Sequence, residues 1–161
     1  MRRLLSPFLM AVPALLSIAV PSEAWCQSTV EEGIRQTILD QYASVRENLV
    51  DTPADYSSEG TLSFWSSGGL LQEVGPQNAP ERFDSYNVVP KHIQVIRLSE
   101  NSGVAQFYAE GSYKPVDGDP VLHYLTRATH VYVLEGGVWK LRAVHFSPVL
   151  GGSGTHATSV K

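Results

Sequence analysis

The chain has 161 residues, enough for one domain and not for two, and 43% of them are apolar, so a substantial core can be buried. Charged residues make up 17%, with a net charge of −4 and a pI near 5.7, which excludes a largely disordered chain. No run of Lys or Arg is long enough for a phosphate-binding patch, so nucleic acid is not an expected partner.

The first 26 residues stand apart. Arg2 and Arg3 precede an apolar stretch from Leu4 to Val20, interrupted by Pro7 and Pro13, and Ser22-Glu23-Ala24 supplies small residues beyond it. This is the layout of a secretory signal peptide, and a stretch of this length with two prolines is short for a membrane span. Residues 1–26 are therefore expected to be cleaved, after Ala24 or after Cys26, leaving a periplasmic or secreted bacterial protein with no membrane attachment. Lipidation at Cys26 and twin-arginine export are the alternatives. Cys26 is the single cysteine, so no internal disulfide is expected.

Residues 27–149 read as one domain. Ser28 with Glu31, or Thr29 with Glu32, fits a capping box. Val30, Ile34, Ile38, Tyr42, Val45 and Leu49 then recur at steps of three and four, one face of a long helix. Asp51-Thr52-Pro53 ends it, with Pro53 in the first turn of a short second helix. Thr61 to Trp65 and Leu70 to Val74 read as strands about a Gly68-Gly69 turn. Asn78, Pro80 and Glu81 read as the start of a short helix running to about Asn87. Four strands follow, at Val88 to Leu98, Val104 to Lys114, Val121 to Leu134 and Val138 to Ser147. The turns between them are Asn101-Ser102-Gly103, Asp117-Gly118 and Gly136-Gly137. Short links imply an antiparallel meander. Residues 150–161 are read as a flexible tail. The predicted class is α+β, a cone-shaped, curved antiparallel sheet wrapped around the long N-terminal helix.

Arg127, Thr129 and Val131, then Gly137, Trp139 and Leu141, then His145 and Ser147 resemble the last hairpin of SnoaL-like proteins of the nuclear transport factor 2-like superfamily. They also resemble the association domain of calcium/calmodulin-dependent kinase II. Phe64-Trp65 before Gly68-Gly69 resembles the family's first hairpin. The resemblance covers nearly all of Ser28 to Pro148 and implies a cone cavity, used in the family by dehydratases, cyclases, isomerases and members with no reaction. His130 departs from it by filling the slot of an arginine in the kinase domain, and Ala143 precedes His145 where that domain has a second histidine. The tyrosine and aspartate set of ketosteroid isomerases has no counterpart, so isomerase chemistry is not carried over.

Strand alternation sharpens the expected site. A loop at Glu135-Gly136-Gly137 sets Arg127 opposite His145. A turn at Asp117-Gly118 sets Tyr108 opposite Arg127 and Ser112 opposite His123. A loop over residues 99–103 sets His92 opposite Glu110. These registers put His92, Gln94, Gln106, Tyr108, Glu110, Arg127, Thr129, His145 and Ser147 on one face with Val131, Trp139 and Leu141, and Ala105, Phe107, Ala109, Tyr132, Val144 and Phe146 on the other. The functional reading is an apolar-walled pocket with converging polar groups. Arg127 would hold a carboxylate or carbonyl oxygen, His145 or Glu110 would move a proton, and Tyr108 would donate to an oxyanion. Trp65, His92, Thr129, Trp139 and Tyr42 complete the expected ligand site. The bland alternative is an internal Arg127–Glu110 ion pair beside a satisfied core histidine. Histidine spacing and the lone cysteine give no metal site, and no cofactor is expected. Three uses compete: binding of a small, partly apolar ligand, acid–base enzyme chemistry in the same cavity, and homodimeric assembly through a patch of Phe107, Tyr132, Val144 and Phe146.

Overall fold

The computed structural model describes residues 29–149; the expected signal peptide (1–26) and tail (150–161) lie outside them. Helix α1 spans Val30–Asn48. Thr29 caps it, accepting from the Glu32 amide while the Glu32 carboxylate accepts from the Thr29 amide, so the second of the two capping boxes is realised. Val30, Ile34, Ile38 and Val45 are buried along one face, with Tyr42 partly buried among them. The helix stops at Asn48, earlier than expected. Leu49 takes the left-handed conformation (φ 55°), and its amide donates to the Val45 carbonyl at 2.9 Å.

That turn frees Val50–Asp51 to form strand β1, and Pro53–Asp55 to form one 3₁₀ turn capped by Thr52. Strands β2 (Thr61–Phe64) and β3 (Gln72–Val74) form the predicted hairpin. The helix expected near Asn78 is instead strand β4, Glu81–Tyr86. Asn78 closes a turn, its Oδ1 accepting from the Gly75 amide at 2.8 Å. Phe83-Asp84-Ser85-Tyr86 are weak helix formers, and the ladder on β1 and a later strand wins. Strands β5 (Val89–Ser99), β6 (Ser102–Pro115), β7 (Val121–Glu135) and β8 (Val138–Pro148) make the expected meander.

The order along the curled sheet is β1-β4-β6-β7-β8-β2-β3, with β5 on the same edge of β6 as β4. Pairing is antiparallel except between β2 and β8, which run parallel. Gly111 marks the place where β6 changes partner from β5 to β4. Its φ is +154°, and a Cβ there would lie 2.1 Å from the Asn87 carbonyl oxygen, so only glycine lets the two backbones close. The sheet curls over α1 to give a half-barrel cone. Ile34, Ile38, Val88, Ala105, Phe107, Ala109, Ala128, Tyr132, Leu141 and Val144 form the core under the helix. Among the described residues no helix is long and apolar enough to cross a membrane.

Candidate functional site

Two bulges decide which side chains look inward. The last hairpin turns on Gly136-Gly137 alone, with Glu135 paired to Val138. Glu135 serves elsewhere, accepting from Ser57 Oγ at 2.5 Å and from the Ser58 amide at 3.0 Å. A bulge then inserts Arg142 between the pairs Tyr132–Leu141 and Val131–Ala143. Beyond it Thr129 pairs with His145 and Arg127 with Ser147, two residues from the expected register. A shift of two preserves the face, so these four remain together. The extra residue reverses the alternation before it, so Leu141 and Trp139 turn to the helix side rather than sharing the His145 face. Trp139 lies over α1, where a Cβ on Gly33 would sit 2.5 Å from its Nε1. The second bulge lies between Lys91 and Gln94, where His92 takes φ 55°. Consequently Glu110 pairs with Val89, not with His92. Tyr108 does pair with Arg127, while a further irregularity between Gly111 and Tyr113 leaves Ser112 and His123 without the expected pairing.

The polar face foreseen from sequence is coherent, but it is the outer face. His92, Gln106, Tyr108, Glu110, Arg127 and His145 are all exposed and Thr129 is half-buried. Glu110 pairs with Lys91 at 2.6 Å, and Arg127 donates to the Pro148 carbonyl at 3.2 Å, so the internal Arg127–Glu110 pair does not form. His92 lies edge-on to Tyr108, and Phe64 edge-on to His145. The face expected to be an open apolar patch is the inner one: Phe107, Tyr132 and Val144 are buried and Phe146 packs against that core. Burial explains the inversion. The helix covers the small and aromatic residues of each strand, and the polar set is left to solvent.

On the inner face, beside the lower half of α1, is a cavity of about 380 Å³. Two of the predicted residues, Tyr42 and Trp65, line it; Arg127, Tyr108, Glu110, His92, Thr129, His145 and Trp139 do not. Helix α1 contributes Gln41, Tyr42 and Val45. Strand β4 contributes Glu81, Phe83 and Tyr86, and the wide end of β6 and β7 contributes Tyr113 and Tyr124. His130, Leu141, Val144 and Phe146 close the far side. Trp65 stacks on Phe146 (6.0 Å, 11° between planes), and its Nε1 donates to Gln72 Oε1 at 2.9 Å. Asp51, Tyr56, Trp65 and Glu81 also wall an adjoining hollow of about 150 Å³.

The electrostatics of this wall were not foreseen. Asp51 and Glu81 are direct cross-strand partners, and Asp55 stands one 3₁₀ turn away. Burial raises the Asp51 carboxyl from the usual 3.8 to about 7, with Glu81 and then Asp55 adding repulsion. Burial also raises Asp55, against the pull of Lys140 and of Gln41, and partial burial against the cavity raises Glu81, whose side chain is otherwise exposed. The phenols of Tyr56, Tyr86 and Tyr113 are pushed far up by the same burial and by the carboxylates and phenols around them. Among the described residues no Lys or Arg lines the cavity.

At the far side His130 is buried, 4% exposed, between the edges of Phe107 and Phe146. Burial lowers its pKa to about 3, so the ring is neutral. The Tyr132 hydroxyl donates to Gln41 Oε1 at 3.1 Å and lies 3.3 Å from His130 Nδ1. With its proton committed to Gln41, that hydroxyl accepts from Nδ1–H, which leaves the Nε2 lone pair without a partner. Asp51, Asp55 and Glu81 were invisible to sequence reasoning because Asp51-Thr52-Pro53 read as a helix stop and Glu81 as helix start. The available signal was the pairing of β1 with β4, which no local pattern announces. Among the described residues no group of three or more His, Cys, Asp or Glu is placed to hold a metal ion.

No family model matches the chain, and no curated protein matches it in sequence. Solved structures do match its fold. A nuclear transport factor 2-like protein of unknown function from Pseudomonas putida is 22% identical over 73% of this chain and 84% of its own, with a TM-score of 0.50. Another from Prochlorococcus marinus is 15% identical over 78% and 95%, with a TM-score of 0.56. The calcium/calmodulin-dependent kinase II hub homology domain of Chlamydomonas reinhardtii is 15% identical over 73% and 97%, with a TM-score of 0.53. The chain has the α+β, cystatin-like fold of the nuclear transport factor 2-like superfamily.

Proposed function

We propose that this chain is an exported binding protein that holds a small, partly apolar molecule in its cone cavity. The observation that carries the reading is the cavity itself: about 380 Å³, aromatic on most sides, with the half-buried Asp51 carboxyl and the unpartnered His130 Nε2 on its wall. Small-molecule sites span roughly 300–1,000 Å³ and combine apolar walls with a few placed polar groups. A lone pair without a partner and a carboxyl held near neutrality each cost stability, and a ligand would offset both. Export rests on the composition of residues 1–26. Self-association as a homodimer would use the outer face, where Phe64, Tyr108 and His145 stand in the open. The test is native mass spectrometry of the protein gently purified from an exporting host. An adduct that leaves on denaturation and is lost in Val144→Trp, which narrows the cavity, supports the reading. A bare chain that also fails to take up the neutral cavity probe 1-aminoanthracene contradicts it.

A second reading, an acid–base enzyme, is favoured by one observation. A carboxyl titrating near 7 beside tyrosines is suited to accept and return a proton at neutral pH. In that reading the proton-moving residue of the cavity is Asp51, since His145 and Glu110 stand on the outer face. Turnover that survives Asp51→Asn would end it.

A further inference from the structure

We propose that the ligand of this cavity is an organic cation, a protonated or quaternary amine on a ring-sized apolar body, held between the Asp51–Glu81–Asp55 wall and the facing aromatic rings. The inference rests on the binding reading above and narrows its chemistry. Three observations carry it.

The first is the sign of the wall. Asp51 and Glu81 are cross-strand neighbours, an arrangement that like charges disfavour. Asp55 adds a third carboxylate, and among the described residues no cationic side chain lines the cavity to compensate. The cation acting on Asp55 is Lys140, and its Nζ is engaged by the Ala54 carbonyl at 2.6 Å. The charge missing from this site is positive. An anion would meet repulsion from all three groups.

The second is the nature of the opposite walls. Tyr42, Tyr86, Tyr113, Tyr124 and Trp65 line one volume. Aromatic faces attract cations and discriminate little among apolar bodies, and an aromatic cage beside carboxylates is the arrangement that recognises ammonium groups. The carboxylates line one side of the space and do not converge on a point, since no three such groups are placed for a metal ion among the described residues. That spacing suits a bulky cation.

The third is independent of the acids. His130 is 4% exposed, neutral, and presents an Nε2 lone pair with no partner on the same cavity. It accepts hydrogen bonds and cannot repel a cation. An ammonium N–H or another donor on the ligand would satisfy it.

The experiment titrates the mature chain, at pH 8, with phenyltrimethylammonium, with its uncharged carbon isostere tert-butylbenzene, and with benzoate, followed by calorimetry and by nitrogen-edited NMR. The expected result is that phenyltrimethylammonium binds about tenfold or more tightly than tert-butylbenzene. The ratio of the two affinities should fall to within about twofold in Glu81→Gln and in Asp51→Asn. The comparison of isosteres in the unaltered chain stands even if a variant misfolds. Equal or tighter binding of tert-butylbenzene, or of benzoate, overturns the cation inference and leaves the cavity reading standing. Failure of all three probes at millimolar concentration, together with failure of 1-aminoanthracene, overturns both.

Discussion

Replacing Asp51 by Asn should make the protein more stable, and the gain should grow with pH. Asp51 titrates at about 7 in the folded chain against 3.8 in the unfolded one. The native state therefore holds the proton more tightly, so the stability associated with the neutral carboxyl is complete below pH 3.8 and is lost as pH rises through 7. At about 1.4 kcal/mol per pKa unit, the full difference is about 4 kcal/mol, and about 2–3 kcal/mol of it falls between pH 5 and pH 8.5. An amide has no such dependence. Urea denaturation at the two pH values should show the parent losing at least that much more stability than Asp51→Asn, because the change also relieves Asp55 and Glu81, which repel Asp51. In thermal melts the differential is roughly 10 °C for a domain of about 120 residues. Parallel pH profiles for parent and variant would refute the burial of Asp51 and with it the acidic wall.

Affinity for phenyltrimethylammonium should rise with pH to a plateau above 7, because the cation selects the ionised Asp51. Below 7 the free carboxyl must release its proton first, costing up to about tenfold per pH unit. Calorimetry in buffers of different ionisation enthalpy should detect that proton, and a flat profile would contradict it. The groups facing Asp51 are Glu81, Asp55 and Tyr42, Tyr56 and Tyr86, none cationic, so no opposing titration is expected near neutrality. Gly111→Ala should destabilise the fold by about 3 kcal/mol or more, since its Cβ would meet the Asn87 carbonyl oxygen; a loss under about 1 kcal/mol by urea titration would show that the sheet bends elsewhere. Arg127→Ala and His145→Ala should leave 1-aminoanthracene affinity within about twofold, because both side chains are exposed on the outer face. A large loss in either would return them to the cavity.

Most of the architecture was legible because it rests on periodicity. The stripe from Val30 to Val45 marks α1, and alternation with Gly turns marks the meander of β5 to β8. Faces were harder. Alternation tells which residues travel together, and Tyr108, Arg127 and His145 do travel together. It does not tell which set the helix covers. The polar set is the solvent side, where alternation alone suggests a lined cavity, and Phe107, Tyr132 and Val144 are core, where it suggests an open patch. The Arg142 bulge sends Trp139 and Leu141 the other way, and one extra residue in a strand leaves no sequence mark. The acidic wall was illegible for a different reason. Asp51 and Glu81 are brought together by two short strands whose local sequences read as helix ends. Tyr42 and Trp65 were found because a large aromatic on the buried side of an element has few other places to go.

The central claim is that a small molecule binds on the inner face, under the lower half of α1. Nitrogen-edited NMR of the protein titrated with 1-aminoanthracene tests it directly, because the Trp65 ring lines the cavity and carries an indole N–H, while the Arg127 side-chain Nε–H reports on the outer face. Saturable shifts are expected at the Trp65 indole and at the backbone of Tyr42, Tyr124 and His130, with the Arg127 side-chain Nε–H unmoved. Shifts confined to the exposed Tyr108–Arg127–His145 surface, with the Trp65 indole silent, would contradict it.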